Sequence, residues 1–256
     1  MYTLNNSFAR GRFTVTVVGC GGTGGFVAEG LCRILPPRAD LVLVDHDRVE
    51  EANLGRQNFT RTELGCFKSE ALAKRLAVRF ARPVAYSILP IGMARIITPG
   101  LVIGGVDNGP ARRDIAEETV WNRFLDAWWV DAGNGDNFGQ ILIGNYRRVD
   151  IPHQSFSLEE RKCYFLPLPT LQRPDILAQR PPERNCAEAV VAREQGPVIN
   201  QAMASIVIEV VRRIIEGTCS WMQLYLDLEA GTLSPVLATP EAVAKIIVKR
   251  KRKERR

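Results

Sequence analysis

The chain of 256 residues is poor in the groups that most metal and nucleophile chemistries draw on. Two histidines, His46 and His153, give little material for a His-rich metal site or a Ser-His-Asp constellation. Six cysteines, at positions 20, 32, 66, 163, 186 and 219, form no Cys-x-x-Cys pair, so neither a disulfide framework nor a tetrahedral zinc site is indicated. Long apolar runs are missing too: Leu41–Val44 and Ile206–Ile208 are far too short to cross a bilayer, and residues 1–13 hold no apolar stretch of the signal-peptide kind. The expectation is a soluble, cytoplasmic protein with reduced thiols, no zinc and no membrane partner.

What is present is an ordinary globular composition, 46% hydrophobic and 24% charged, long enough to bury a sizeable core. The 34 Lys and Arg against 28 Asp and Glu give a charge of +6 and a pI near 9.1. That skew is local. Residues 245–256 hold eight basic residues against Glu254, a net of +7, which leaves −1 for residues 1–244. The chain therefore divides, in expectation, into one near-neutral domain over 1–244 and a basic tail over 245–256, with nucleic acid a candidate partner through the tail only.

The apolar, β-branched run Phe13–Val18 reads as a buried parallel strand and leads directly into a glycine-rich turn. A helix over about Phe26–Ile34 and a strand over Asp40–Asp45 complete a βαβ unit. Further along, the periodicity predicts a helix over Ser69–Phe80, strands at Val84–Leu89 and Leu101–Ile103, a helix over Arg112–Phe124, and strands at Ala127–Asp131 and Gln140–Ile143. Strands alternating with helices predict an α/β fold, a Rossmann-like, open, mostly parallel sheet with helices on both faces. Seven prolines between 152 and 197 break the pattern and predict a long irregular excursion, a place to look for a lid or crossover loop. Beyond it come an apolar helix over Val198–Ile215, a hairpin over Met222–Leu228 and Thr232–Leu237, and a last helix opened by Thr239 and Pro240.

Gly19, Gly21, Gly22 and Gly24 stand between strand and helix, where backbone N–H groups and the positive helix end hold phosphates. Asp45, 21 residues after Gly24, is spaced for a ribose hydroxyl. This motif predicts a nucleotide site without choosing between NAD, S-adenosylmethionine and ATP. An NAD(P)-dependent oxidoreductase and a non-catalytic nucleotide-binding plasmid-maintenance module both remain open at this point.

The segment after the second strand is more specific. It carries Asp45, Asp47, Val49, Glu50, Asn53, Leu54, Arg56, Gln57 and Phe59, then Gly65, Lys68 and Ala71. In this order it resembles the adenylation domain of the ThiF/MoeB family, relatives of the ubiquitin-activating enzymes. Val106, Asp107 and Asn108 with Arg112, the stretch from Gly133 to Gly139 and Gln140, and Asn185 with Cys186 ahead of a long apolar helix agree with it, so that the resemblance covers residues 10–216. Within the family, the missing zinc cysteines look most similar to the ThiF-like member of a plasmid-borne cassette of ParB-related and ThiF-related genes.

The resemblance implies an ATP-dependent, Mg2+-using adenylation of the C-terminal carboxylate of a small ubiquitin-like or sulfur-carrier-like protein by a homodimer. Attack of an ionised carboxylate on a phosphate needs charge neutralised and two anions held in line more than it needs acid–base help. Arg56 and Lys68 are the candidates to grip phosphates, Arg as a planar fork and Lys as a point charge. Asp107, at a strand end, is the Mg2+ candidate with Asn108 beside it; Asp45 and Asp47 belong to the ribose edge, and Asn53 and Gln57 orient. By the resemblance, Cys186 is the candidate thiol for a covalent link, and an arginine just before the first strand, Arg10 or Arg12, reaches into the partner subunit's site. Trp128 and Trp129, among apolar neighbours, are expected to fill the core.

Overall fold

The computed structural model describes residues 1–94, 100–121, 127–148, 153–179 and 197–254. In chain order its elements are β1 (Thr3–Leu4), β2 (Phe13–Val18), α1 (Gly22–Ile34), β3 (Ala39–Val44), α2 (Lys68–Phe80), β4 (Val84–Ser87), β5 (Gly100–Gly104), α3 (Gly109–Trp121), β6 (Ala127–Asn134), β7 (Phe138–Gly144), β8 (Phe156–Ser157), β9 (Lys162–Cys163), α4 (Pro169–Gln172), α5 (Pro197–Glu216), β10 (Trp221–Asp227), β11 (Thr232–Leu237) and α6 (Pro240–Glu254), with short 3-10 turns between.

The expected α/β architecture is what forms. Eight strands make one sheet in the order β11-β10-β7-β6-β5-β2-β3-β4, parallel from β6 to β4 and antiparallel across β7, β10 and β11. From β2 the chain moves outward through β3 to β4, then crosses back to β5 on the other side. Because each crossover is right-handed, this reversal sends α1 and α2 to one face and α3 to the other. Two apolar cores result. Val15, Val17, Leu31, Leu72 and Val207 join one, Val18, Val102, Ile115 and Leu168 the other. Trp128 and Trp129, adjacent on β6, point to opposite faces and fill one core each, as the period of two in a strand requires.

Three boundaries differ from expectation for physical reasons. Helix α1 begins at Gly22 and not near Phe26, because the glycines that read as loop supply its first turn. The proline-rich excursion is built structure over 153–179: β9 pairs in parallel with β1 and antiparallel with β8 in a small second sheet, and Cys163, Leu166, Leu168 and Ile176 are buried. Two of the three prolines in 153–179 open elements: Pro169 and Pro174 stand at the first positions of α4 and of the next 3-10 turn, where no N–H is needed. Finally, the division at residue 244 falls inside α6: Val243 is buried and Ile246 and Ile247 pack on the core. The basic tail thus begins as the continuation of a docked helix. No described helix is long and apolar enough to cross a membrane.

Candidate functional site

The reversal of strand order between β2 and β5 opens a crevice at their C-terminal ends, the place where open α/β sheets take ligands. The glycine turn lies there. Gly19 has φ +86°, and a Cβ on it would stand 2.7 Å from the Gly105 carbonyl oxygen beyond β5. Gly24 leaves no room for a Cβ because the Gly19 carbonyl fills the place, and Gly22 leaves none because the Asn200 carboxamide does. These three glycines let helix, strand and α5 close together. Gly21, at the start of α1, meets only the Gln57 side chain, 3.7 Å from where a Cβ would be. No side chain caps α1, so its first N–H groups and its positive end are left to the crevice.

Beneath the turn lies Asp45, nearly buried. One carboxylate oxygen accepts the Cys20 N–H at 2.6 Å and the other the Asp47 N–H at 2.8 Å. Burial pushes its pKa up, while Lys68 and these two N–H donors draw it back. Each oxygen keeps a second lone pair for a hydroxyl. Lys68, 8% exposed, donates to Asp47 Oδ2 at 3.2 Å, and its backbone N–H to the Asp47 carbonyl at 2.8 Å. Ser69 ties the ends of β3 and β4 by standing within donating reach of the Asp45 and Ser87 carbonyls. Cys20 is a poor nucleophile: burial, and then Asp45, hold its thiol well above the ordinary range.

The segment 50–57 is wound by its own polar groups. Asn53, buried, accepts the Glu50 N–H on Oδ1 at 2.9 Å within a capping box, and its carbonyl accepts the N–H groups of Arg56 (3.2 Å) and Gln57 (2.9 Å). Among the described residues the Arg56 guanidinium carries no ion pair, and the buried Gln57 Oε1 has no hydrogen-bond partner. Across the crevice Asp107, exposed just past β5, accepts the Asn108 side-chain N–H at 3.2 Å, while Asn108 Oδ1 caps α3 through the Ala111 N–H at 2.9 Å. One exposed carboxylate at the mouth of the site suits Mg2+, which keeps several waters and takes few protein ligands. Asp45, His46 and Asp47 also cluster, with candidate ligand atoms within 4.8 Å of one another. The Lys68 ammonium beside Asp47 and the N–H groups on Asp45 make that a poor cradle for a cation.

Other expected residues separate. Arg12 is bound to Asp40 by two hydrogen bonds of 2.8 and 2.9 Å, and both it and Arg10, at the end of a 3-10 turn, are exposed. Both stand at the N-terminal end of β2, and a six-residue strand puts them roughly 20 Å from the glycine turn of their own chain. Cys186 lies outside the described residues. Cys163 is no substitute, since burial pushes its thiol up to about 12.

Sequence reasoning passed over Asn200, Asn134 and Thr23. Thr23 Oγ1 is within donating reach of Asn134 Oδ1 (3.2 Å) and Asn200 Oδ1 (3.3 Å), and Asn134 Nδ2 donates to Asn200 Oδ1 at 3.1 Å. The one local signal is an asparagine beside Ile199 on the apolar face of an amphipathic helix. Arg112 was noted without its role. Its Nε is 3.1 Å from both Asp131 oxygens, Nη2 donates to the Val106 carbonyl at 2.6 Å, and Nη1 to Gln179 Oε1.

A family model described as ThiF family matches residues 10–221. Ubiquitin-like modifier-activating enzyme 5 of Aedes aegypti is 33% identical over 143 residues, 48% of this chain and 34% of that protein. The same enzyme of Xenopus laevis is 35% identical over 144 residues, 49% of this chain and 34% of its own length. These stretches span about a third of the curated relatives. In the solved structures, E. coli MccB with ATP superposes with a TM-score of 0.60 at 16% identity, over 90% of this chain and 64% of that one. That likeness is one of fold.

Proposed function

Since the chain belongs to the ThiF family, we propose that it is an ATP-dependent adenylyltransferase acting on the C-terminal carboxylate of a small ubiquitin-like or sulfur-carrier-like protein. The observation that carries this is the pair of cations beside the glycine turn. The Arg56 guanidinium has no ion pair among the described residues, and the nearly buried Lys68 ammonium makes one side-chain hydrogen bond although it has three protons to donate. A hydride-transferring dinucleotide enzyme would leave both without work, whereas a triphosphate uses them. The E. coli MccB structure with ATP has this fold, which supports the choice of nucleotide.

In this mechanism a carboxylate oxygen of the partner attacks the α-phosphorus, the bond from that phosphorus to the bridging oxygen breaks, and pyrophosphate leaves with the electron pair. No proton need move. Arg56 and Lys68 neutralise the phosphate oxygens, the N–H groups at the start of α1 hold the phosphates in line, and Asp45 with Asp47 receives the ribose hydroxyls. Asp107 would hold Mg2+, which would supply positive charge to offset that of the phosphates. Arg10, not committed as Arg12 is to Asp40, is the arginine we assign to exchange between the subunits of a homodimer. Cys186 is the proposed acceptor for a covalent link, and membership of the ParB-related, ThiF-related cassette is part of the same proposal.

The deciding experiment is ATP–pyrophosphate exchange in the presence of candidate small proteins. Partner-dependent exchange that is lost in Arg56→Ala is the expected result; full activity in that variant, or a tight Mg2+-independent NAD complex, refutes the proposal. Cys186→Ala should keep exchange and lose any thiol-sensitive conjugate.

A further inference from the structure

We infer that Asn200 is a positioning residue that sets the place of Arg56 from the far side of the crevice, an inference that deepens the adenylation reading and rests on it. Asn200 is fully buried in the first turn of α5, among Ile199, Met203, Ala204 and Val207. A buried carboxamide left unpaired is costly, so its partners matter. It has three. Nδ2 donates to the Arg56 carbonyl at 3.3 Å, and Oδ1 accepts from Asn134 Nδ2 at 3.1 Å with the Thr23 hydroxyl at 3.3 Å. One side chain thus joins α5, α1, β6 and the 50–57 segment, across 144 residues of sequence in the case of Arg56.

Packing alone does not call for this residue. The neighbouring α5 positions close on α1 with apolar side chains, and a leucine or methionine would extend that contact. The asparagine requires instead that Gly22 give up its Cβ, since the carboxamide occupies that space. What it adds is a hold on a particular peptide. The Arg56 N–H is already taken by the Asn53 carbonyl at 3.2 Å; with its carbonyl taken by Asn200, the residue is gripped at both ends. Its guanidinium has no ion pair among the described residues, so the backbone must aim it. Fixing a cation before the phosphates arrive lowers the cost of ordering it in the transition state.

Asn200→Asp tests this with little change of shape. The aspartate keeps an acceptor for Thr23 and Asn134 but turns an oxygen toward the Arg56 carbonyl. In the folded variant, amide hydrogen exchange at Arg56 and Gln57 should speed up about tenfold, the upper range for one lost hydrogen bond. The turnover number of ATP–pyrophosphate exchange should fall about tenfold, with KM for ATP changed by less than about twofold, because the loss is in the transition state. A merely structural residue would lower the melting temperature and leave both readouts unchanged in the folded fraction, and that result overturns the inference. If the aspartate does not fold, Asn200→Ser, uncharged and too short to reach Arg56, carries the same expectations. If the wild-type chain shows no exchange with any partner, the adenylation reading fails by itself, and the Arg56 and Gln57 amides still decide whether Asn200 holds that turn.

Discussion

Two nearly buried cations stand on either side of the point where the strand order reverses, and they are used in opposite ways. On the β5–β6 side, Arg112 spends its donors on Asp131, Val106 and Gln179, with both members of the ion pair out of water. On the β2–β3 side, Lys68 has one side-chain partner among the described residues, Asp47, whose carboxylate is 43% exposed. A guanidinium with a protein partner at each of its three nitrogens joins α3 to β6 and to the end of the 153–179 segment, and so serves the scaffold. The Lys68 ammonium, in a crevice with one side-chain partner among the described residues, keeps protons to offer a ligand. Burial of charge therefore does not mark function here, and the number of partners does.

The largest expected effect breaks the scaffold side. Arg112→Ala leaves Asp131 charged and alone in the interior and should cost about 3–5 kcal/mol in urea unfolding. Replacing both members together, Arg112→Met with Asp131→Leu, should recover much of the loss, because the desolvated charge disappears with its partner. A single-variant cost below about 1 kcal/mol would erase the contrast.

Lys68→Ala should show the reverse profile. Its stability cost should stay below about 1 kcal/mol, as for other ion pairs with an exposed member, while pyrophosphate exchange falls about 100-fold or more. A variant that unfolds like Arg112→Ala, or that keeps its exchange, would put both cations in one class.

A smaller effect is read by pH. The Cys163 thiol, buried in the segment that Arg112 helps to anchor, is raised from 9.0 to about 12. The folded chain therefore holds that proton after the unfolded chain has released it. Stability from this group is complete below pH 9 and is lost as pH rises toward 12, by about 3 kcal/mol at pH 11. Urea midpoints between pH 8 and 11 should fall more steeply for the native chain than for Cys163→Ala. Parallel curves would show that the segment opens without unfolding. The smallest effect is expected from removing residues 248–256, past Ile247: exchange should stay within about twofold and stability within about 0.5 kcal/mol. A larger loss would make the basic end a third functional region.

The fold was legible where it depends on local pattern. Phe13–Val18 and Leu41–Val44 are mostly apolar and rich in β-branched residues because they lie inside the sheet with helices on both faces, and the glycine turn follows from the backbone it must make. The start of α1 was misplaced because glycine is a weak helix former, and only tertiary packing holds Gly22 to Gly25 in a helix. Segment 153–179 hid its strands because two-residue strands have no periodicity; β9 exists through its pairing with β1, some 160 residues away. Of the site, Arg56, Lys68 and Asp45 were visible as a spaced string. Asn200 was not, since a hydrogen bond to residue 56 leaves no mark near residue 200, and the preference for Arg10 over Arg12 needed the partner of Arg12, Asp40, to be seen in space.

An open sheet has two ends where a foreign strand could add. At one of them β11 runs Thr232 to Leu237 with Pro235 opposite Leu224 in the ladder. Proline has no N–H, and the outer side of an edge strand is where it is tolerated, so a strand arriving from another molecule would find a donor missing at the middle of its template. A crowded solution or a half-made chain thus meets a β11 edge that does not propagate, while the short β4, four residues long, offers little to the other. The sheet is closed to growth by composition at one end and by length at the other.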